Sequence, residues 1–389
     1  MKLTVDKGQL KAALDRVTAV VASKTAFPVL AHVRLEAAGE HLTLAATDLA
    51  VLITTRIPAR VAAPGALTLP GKRLADIAAA AASADIEIDA TGDGAKAIVK
   101  AGRYRATLYG LSADDWPGWE FGDTVARWTM PGDDLAGLIA ATAYAVSTDI
   151  SRAYLAGVHF DAGRVDGEAR LTAVATDGKR LARASAPLPA GAETLPGITL
   201  PTAAAGFARR IAAAAGAAPI EVAISHLKFR VVADTTTLDA SLLADTYPDW
   251  RRVIPPPGDR RIAVDRAELA AAMKRVSLIL GEAKAAMRLI FETGEPGRCR
   301  LEAWNANAGL ASDEIAAEVT TEGAGILSFS AALLREAVEG LSGARMTLDH
   351  EGVIGGRTIF RTTDQDGMAL VAGMLWRGPD DAAAPQTEG

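Results

Sequence analysis

Apolar and polar residues alternate in three short stretches of the chain, and each stretch runs directly into a helical pattern. The segments are KLTVDKGQL, RWTMPGDDL and RIAVDRAEL, which end at Leu10, Leu135 and Leu269 and are therefore spaced 125 and 134 residues apart. In each segment an apolar residue lies five positions before the final leucine. Alternation is typical of a strand and the wider spacing of a helix, so each segment predicts a strand followed by a helix.

Two further patterns recur with nearly the same spacing. HLTLAATDLA, RLTAVATDGKRLA and RLEAWNANAGLA are alternating strands followed by a turn, and their leucines at 42, 171 and 301 are 129 and 130 residues apart. TLPGKRLADIAAA, TLPTAAAGFARRIAAA and SFSAALLREAVEGL each combine a strand end with a helix start, with Pro70 and Pro201 suited to a first helical turn. Three patterns in one order with a common period predict three tandem copies of one unit.

The repeat predicts an α+β fold in which each unit packs two helices on antiparallel sheet. We expect domains at residues 1–122, 125–255 and 261–378. The segments DDWPGW and DTYPDW, rich in Pro, Gly and Asp, are the predicted linkers between them. Residues 379–389, PDDAAAPQTEG, are acidic and small and predict a disordered tail.

Composition narrows the class of protein. The chain has 389 residues, of which half are hydrophobic and 23% charged, as in folded globular domains. Cys299 is the single cysteine, so an internal disulfide is excluded and a reducing, cytoplasmic setting is expected. The sequence shows no long uncharged apolar stretch, so neither a signal peptide nor a membrane span is predicted.

The net charge is −6, which alone argues against a nucleic-acid-binding protein. The predicted helices, however, carry many cations: Lys11, Arg16, Lys72, Arg73, Arg209, Arg210, Lys274 and Arg275. Taken alone, such residues are better explained by a solvated helix face, because charged residues on exposed helices are ordinary. If the repeated helices share one side of the molecule, that side is a candidate DNA-facing surface.

Motifs of catalysis are absent from the sequence. It has no HExxH, GxSxG or P-loop pattern, and no ligand spacing connects the five histidines His32, His41, His159, His226 and His350. Asp177 and Lys179 lie close together in TDGKR, but a tight turn explains this pair without catalysis. We therefore expect a non-enzymatic protein without a metal or cofactor.

Several segments, taken in order, resemble the bacterial sliding clamp family, the beta subunit of DNA polymerase III. They are FPVLAHVRLEA (27–37), ATDLA (46–50), SRAYLAGVHF (151–160), VATDGKRLA (174–182) and TYPDWRRVIP (246–255). The resemblance implies three clamp domains in a head-to-tail homodimer, a ring that encircles duplex DNA with its helices facing the hole. The implied partners are the polymerase III catalytic subunit, the clamp loader and other proteins with a clamp-binding motif.

The resemblance also implies site residues. A pocket for partner peptides would be formed by Arg152, Tyr154, Leu155, Thr176, Gly178, Lys179, Arg180, Leu181, Pro248, Val253, Met374, Leu375, Trp376 and Arg377. The DNA-facing residues would be Lys24, Arg73, Tyr154, Arg209, Arg210 and Lys274. Leu108 of one copy would meet Leu278 and Ile279 of the other at the dimer interface.

The sequence departs from the family at the expected pocket. Met374–Arg377 reads Met-Leu-Trp-Arg where the family usually has a Met-Pro-Met-Arg-like segment, and Lys179 stands where histidine is frequent. Ala106 and Ala153 replace larger residues of the family's seam and DNA face. An alternative therefore stays open: a monomeric clamp-like paralogue that binds peptides as an adaptor.

Overall fold

A computed structural model of the chain describes residues 1–21, 25–90, 96–255, 260–281, 285–320, 325–350, 356–362 and 367–374. Within this part the predicted order of strands and helices occurs three times. The first copy contains β1 (Lys2–Asp6), α1 (Lys7–Val17), β2 (His32–Ala38), β3 (His41–Thr47), β4 (Val51–Pro58), β5 (Arg60–Ala63), β6 (Gly65–Pro70), α2 (Gly71–Ala80), β7 (Asp85–Asp89), β8 (Lys96–Ala101) and β9 (Tyr104–Tyr109).

The second and third copies follow the same plan. The second contains β10 (Thr124–Pro131), α3 (Gly132–Ala140), β11 (Gly157–Val165), β12 (Glu168–Thr176), β13 (Arg180–Pro187), β14 (Ile198–Pro201), α4 (Thr202–Ala215), β15 (Pro219–Ser225), β16 (Lys228–Ala233) and β17 (Thr236–Ser241). The third contains β18 (Arg261–Asp265), α5 (Arg266–Val276), β19 (Ala286–Glu292), β20 (Gly297–Asn305), β21 (Gly309–Val319), β22 (Gly325–Ser330), α6 (Ala331–Gly340), β23 (Arg345–His350), β24 (Arg357–Thr362) and β25 (Gly367–Ala372).

Local sequence explains where the first helix of a copy begins. Asp6 ends β1 and its carboxylate accepts a hydrogen bond from the backbone N–H of Gln9 at 2.9 Å. Asp265 does the same for Glu268 at 2.8 Å at the start of α5. Such N-caps satisfy an otherwise unpaired amide of the first helical turn. Both helices then bury apolar residues with a spacing of three or four, which fixes each helix on its sheet.

The chain forms two compact units. The first consists of Met1–Ala136, Pro189–Leu195 and Gly206–Leu243, and the second of the remaining residues, Gly137–Leu188, Pro196–Ala205 and the chain from Ala244 onward. The first unit holds a five-stranded sheet of order β5-β1-β7-β8-β9 and an eight-stranded sheet of order β10-β15-β16-β17-β4-β3-β2-β6. The second holds a twelve-stranded sheet of order β14-β11-β12-β13-β25-β24-β23-β18-β21-β20-β19-β22.

Two strand pairs join one copy of the repeat to the next. In the first unit β17 of the second copy pairs antiparallel with β4 of the first, and in the second unit β25 of the third copy pairs antiparallel with β13 of the second. Sequence patterns predict the strands but not these junctions, because an unpaired strand edge is completed by any strand of suitable register. The α+β fold and its three repeats are confirmed, whereas the boundaries 1–122, 125–255 and 261–378 stay a prediction.

The helices of the described chain are short, and none of them is long and apolar enough to cross a membrane.

Candidate functional site

An apolar cluster lies at the junction of β13 and β25 in the second unit. Leu181 on β13 stands opposite Leu370 on β25, and Leu370 stands opposite Ile359 on β24. The buried members of the cluster are Leu155, Val174, Leu181, Tyr247, Trp250, Ile359, Met368 and Leu370. These side chains form the floor of a candidate cleft, which we call the partner cleft.

The turn between β12 and β13 forms one rim of the partner cleft. The carboxylate of Asp177 accepts hydrogen bonds from the backbone N–H groups of Lys179 at 2.8 Å and Arg180 at 3.0 Å, and the hydroxyl of Thr176 donates to the Arg180 carbonyl at 2.6 Å. Gly178 has a φ of +84°, a conformation that favours glycine. The tight turn expected from TDGKR is therefore confirmed, and Asp177 acts in it as a structural residue.

The two arginines predicted to orient a peptide differ in their freedom. The guanidinium of Arg180 pairs with Glu336 on α6 and with Asp177 at 3.1 Å, and it lies over the ring of Tyr144. Arg152 is 48% exposed and donates one hydrogen bond to the carbonyl of Asp177 at 3.3 Å. Arg152 also forms a long ion pair with Asp149 at 3.8 Å, so it is the more exposed and less tightly held arginine, while Arg180 is already engaged within the fold.

The segment from Tyr247 to Val253 forms the opposite rim and is held against β11. The Tyr247 ring stacks on His159 with 4.4 Å between centroids and 8° between planes. Asp161 accepts a hydrogen bond from the Trp250 indole at 3.1 Å and two from the Arg251 guanidinium at 3.0 and 3.1 Å. These contacts leave Pro248 and Val253 exposed beside the floor.

His159 is neutral in this setting. Burial lowers its pKa from 6.5 to about 4, although the nearby Asp161 carboxylate acts in the opposite direction. One ring nitrogen lies 3.1 Å from the Thr199 hydroxyl. Sequence analysis missed His159 and Asp161 as parts of the site, because their partners are about 90 residues away along the chain.

The end of β25 completes the cleft. The Ala372 amide donates to the Lys179 carbonyl at 2.9 Å, and the Met374 amide donates to the Ser328 carbonyl at 2.7 Å. Three predicted pocket residues have apolar surface open to solvent: Tyr154 at 37%, Val253 at 42% and Met374 at 40%. Leu375, Trp376 and Arg377 lie outside the described residues, as does the predicted tail 379–389.

The equivalent junction in the first unit has a different chemistry. There Leu52 on β4 corresponds to Leu181, since each pairs across its turn with a threonine. Leu52 stands opposite Asp239 on β17, and Asp239 stands opposite Arg230 on β16. Arg230 and Asp239 form a two-pronged ion pair at 2.5 and 2.8 Å. One fold junction therefore has an ionic floor and the other an apolar one, and the apolar one fits capture of a hydrophobic peptide.

Comparison with protein families decides the relationship. Residues 1–120 match the model of the DNA polymerase III beta subunit N-terminal domain, and residues 129–249 match that of its central domain. The chain belongs to the DNA polymerase III beta subunit family.

Individual relatives agree. The beta sliding clamp of Caulobacter vibrioides is 34% identical over 316 residues, 81% of this chain and 84% of the relative, and that of Pseudomonas putida is 31% identical over 320 residues, 82% and 84%. A Caulobacter crescentus clamp with polyethylene glycol bound at its proposed beta-motif tethering region superposes with a TM-score of 0.91 at 30% identity, covering 96% of this chain and 99% of that one. A Bartonella birtlesii clamp bound to griselimycin gives 0.89 at 27%, with the same coverage of 96% and 99%.

Membership in the sliding clamp family makes the chain a non-catalytic replication protein. This conclusion rests on the relatives. Because the chain belongs to this family, we interpret the partner cleft as an attachment point for other proteins.

The predicted interface residues of this clamp-family chain differ in their exposure. Leu108 on β9 is 7% exposed in the single chain, and its role at the dimer interface stays a prediction. Tyr104 and Tyr109 on the same strand are exposed instead. Leu278 is 81% exposed, as an interface residue requires, while Ile279 is half-buried and packs partly against the core of its own unit.

The predicted DNA-facing cations are exposed where the structure describes them. Arg73 lies on α2, Arg209 and Arg210 on α4, and Lys274 on α5, whereas Lys24 lies outside the described residues. The expectation of basic helices fails for α3, which carries Asp133 and Asp134 and no lysine or arginine.

Some of the helix cations have acidic neighbours. Lys11 pairs with Asp15 at 2.6 Å on α1, and Arg275 pairs with Asp313 at 2.6 Å. Such pairs weaken the positive field of the helices without removing it.

Proposed function

We propose that the chain is a processivity clamp that encircles duplex DNA as a homodimer and tethers the replicative polymerase through the partner cleft. The observation that carries the proposal is the apolar floor at the junction of β13 and β25, set between an exposed arginine and exposed apolar rims. A clamp that works on the chromosome belongs in the cytoplasm. The proposed partners are the polymerase III catalytic subunit, the clamp loader and other proteins with a clamp-binding motif.

The partner cleft suits a short peptide with apolar anchors. Leu155, Leu181 and Leu370 supply buried apolar surface, and Tyr154, Val253 and Met374 extend it to solvent. Arg152 is 48% exposed and makes only long contacts, to Asp149 at 3.8 Å and to the Asp177 carbonyl at 3.3 Å, which a peptide carbonyl or carboxylate could replace. Affinity would come from a few buried anchor side chains, with the polar rim fixing their orientation.

The strand order supports closure by a second copy. At both junctions within the chain, the last strand of one copy of the repeat pairs with the strand that follows the turn of the preceding copy, as β17 does with β4 and β25 with β13. Among the described residues, β9 is an edge strand paired with β8, and β21 pairs with β20 along most of its length but with β18 only at its end, Ala317–Val319. The start of β21 therefore has an edge that could accept β9 of another chain. We infer that β9 of one subunit pairs with β21 of another, which gives a heterologous interface that closes after two subunits.

Side chains near these strands fit that interface. Tyr104 and Tyr109 are exposed on β9, and a cavity of about 690 Å³ lined in part by Ile77, Ala81 and Tyr104 lies beside it. Leu310 on β21 and the nearby Leu278 are exposed apolar groups of the third copy. Their burial against the cavity would supply the apolar core that a stable dimer needs.

DNA would be held mainly by enclosure. A net charge of −6 with cations restricted to some helices provides weak attraction, which permits sliding. We expect the protein to remain on nicked circular DNA after loading and to leave rapidly when the circle is linearised. Equal loss from circular and linear DNA would contradict encirclement.

A matched pair of variants tests the partner cleft. Arg152→Ala removes a rim donor and should weaken binding of a clamp-motif peptide from the polymerase by about tenfold, the effect of one lost charge-assisted hydrogen bond. Arg60→Ala removes an arginine of the first unit that is 73% exposed and pairs with Asp85, so it serves as the control. Fluorescence anisotropy measures both affinities, and equal losses in the two variants would argue against the predicted role of Arg152.

The second candidate is the monomeric adaptor. The low exposure of Leu108 in the single chain favours it, because a buried side chain offers little apolar surface to a seam. An adaptor would bind the peptide with unchanged affinity but would show the mass of a single chain at all concentrations.

A further inference from the structure

A half-open cleft of about 330 Å³ lies in the first unit, away from the partner cleft. Its walls come from both copies of the repeat: Ala19 follows α1, Ile53 lies on β4, and Phe207 and Ile211 lie on α4. This volume is at the lower end of the range for small-molecule sites, roughly 300 to 1,000 Å³. We call it the junction cleft.

The corresponding place in the second unit is filled by a tyrosine. Ala19 is the middle residue of the 3-10 turn Thr18–Val20, and Tyr144 is the middle residue of the matching turn Ala143–Ala145. Each turn ends in the same backbone hydrogen bond, from Val21 to Thr18 and from Val146 to Ala143. Tyr144 is thus the counterpart of Ala19 in the next copy.

The helix residue that faces this position is larger in the first unit and smaller in the second. Ile211 and Gly340 are each the tenth residue of their helix, α4 and α6. The Tyr144 ring packs so closely on Gly340 that a Cβ at that glycine would overlap it. In the second unit, the Tyr144 ring fills the space beside Gly340. In the first unit, Ala19 and Ile211 leave the junction cleft open, because the isoleucine side chain is shorter than a phenol ring.

The charged groups of the junction cleft are exposed, while its threonine, Thr236, is buried. Arg16 and Arg210 contribute cations, and Asp15 and Asp234 contribute carboxylates. Asp15 is paired with Lys11, and the Arg210 guanidinium lies 4.8 Å from the centroid of the Phe207 ring. At the second junction Arg180 lies over the Tyr144 ring in a comparable way, at 5.5 Å. An aromatic ring beside an arginine is therefore a combination that this fold already stabilises.

We propose that the junction cleft is a binding site for a small aromatic molecule of phenol to indole size. The ring would occupy the space that Tyr144 fills in the second unit, against Ala19, Phe207 and Ile211. A hydroxyl or carboxylate substituent would point toward Arg16 and Arg210 at the rim. This site is independent of peptide capture, since it shares no residue with the partner cleft.

The test uses p-cresol, which is the detached side chain of tyrosine. Titration followed by NMR of the methyl groups of Ala19, Ile53 and Ile211 should show saturable shifts, with a dissociation constant on the order of 1 mM for a ligand of about eight non-hydrogen atoms. In Ala19→Tyr the chain supplies its own ring, so p-cresol binding should weaken by at least about tenfold, the loss expected when the site is already occupied. Ala203→Tyr adds the same residue at an exposed position near the start of α4, outside the cleft lining, and should leave binding unchanged.

Two results would overturn the proposal: no saturable shift in the wild-type protein, or equal p-cresol affinity in wild type and Ala19→Tyr. Should Ala19→Tyr fail to fold, Ala19→Leu blocks the cleft with a smaller side chain and must give the same loss. The reciprocal variant Tyr144→Ala opens the second junction and should gain a p-cresol site with a rise in melting temperature on ligand addition. Absence of that gain would show that the space beside Gly340 does not accept a free ring.

Discussion

At the scale of single residues, Asp161 determines the position of one rim of the partner cleft without lining it. Its carboxylate holds Trp250 and Arg251, the first two residues of the short 3-10 turn Trp250–Val253. The carboxylate is 14% exposed, so its interactions are only partly screened by solvent. The rim therefore depends on an acidic residue of the neighbouring strand.

Asp161→Asn should lower peptide affinity several-fold and the free energy of unfolding by about 1 kcal/mol, because it removes the charge of a partly buried pair but keeps an acceptor for the indole. Peptide titration and urea denaturation measure the two effects. Asp166→Asn is the control, since Asp166 is exposed in a turn with a φ of +50°, which asparagine adopts readily. A several-fold loss in the control as well would assign the effect to general loss of negative charge.

His159 predicts a pH dependence of stability. Its pKa in the folded chain is about 4 because of burial, below the value of 6.5 for a free histidine, so the unfolded chain takes up the proton first as pH falls. The stabilisation is complete above pH 6.5 and is lost as pH falls from 6.5 toward 4, amounting to ~3 kcal/mol at about 1.4 kcal/mol per pKa unit. Asp161, Arg251 and the Tyr247 ring are the groups that face the imidazole.

His159→Phe keeps a ring against Tyr247 but removes the titration, so its free energy of unfolding should fall less between pH 6.5 and 4 than that of the wild type. His226→Phe changes an exposed histidine and should follow the wild-type curve. Urea denaturation across this range distinguishes them. Parallel curves for wild type and His159→Phe would mean that other groups carry the pH dependence.

At the scale of secondary-structure elements, two junctions of the same topology have floors of opposite character. Leu181, Leu370 and Ile359 occupy one, and Leu52, Asp239 and Arg230 occupy the other. Side-chain hydrogen bonding to Asp239 raises the pKa of Arg230, so the arginine remains charged. The difference explains why we assign peptide capture to the second unit.

The ionic junction predicts non-additive substitutions. Asp239→Leu alone leaves Arg230, whose side chain is 31% exposed, without its buried carboxylate partner and should destabilise the first unit by about 2 kcal/mol. Adding Arg230→Ile recreates the apolar floor of the second unit and should restore stability to within about 1 kcal/mol of wild type. Urea denaturation gives the three values.

Asp85→Asn is the control for this cycle, since it breaks the Arg60–Asp85 pair, whose partners are 73% and 52% exposed, and should cost less than about 1 kcal/mol. If the double variant is no more stable than Asp239→Leu, the two junctions are not equivalent in packing.

These elements also show what the sequence could and could not predict. Alternation and helix starts predicted β1, α1, β10, β18 and α5, because each is coded by neighbouring residues. The junctions β17–β4 and β13–β25 could not be predicted, since nothing local distinguishes a strand that ends a sheet from one that continues it. DTYPDW was predicted as a linker from its composition, yet Tyr247 and Trp250 are buried in the floor of the partner cleft because their partners lie on β11.

At the scale of the whole molecule, the edge strand β9 and the start of β21 are the places where we propose that one chain pairs with another. Within the chain, the last strand of one copy pairs with the preceding copy twice, as β17 with β4 and as β25 with β13. In a dimer, pairing of β9 with β21 would occur twice more. Several exposed side chains near these strands are large and hydrophobic, namely Tyr104, Tyr109, Leu278 and Leu310, and their burial in a dimer would be favourable. The oligomeric state is therefore the property that most directly tests the proposed ring.

Leu278→Asp tests the ring with little risk to folding, because the side chain is 81% exposed and the substitution disturbs no core packing. A carboxylate placed in an apolar interface without a partner costs several kcal/mol, enough to raise the dimer dissociation constant by about a thousandfold. Sedimentation velocity should show a wild-type dimer and a largely monomeric variant at micromolar concentration. Ile326→Asp, at a position 52% exposed on β22 of the same copy, should remain dimeric and so controls for added charge.

If wild type and both variants have the mass of one chain, β9 and β21 do not pair and the adaptor function becomes the better account. If all three are dimers, the interface lies elsewhere. A monomer caused by Leu278→Asp alone would connect loss of the seam with loss of retention on circular DNA, while leaving peptide binding at the partner cleft intact.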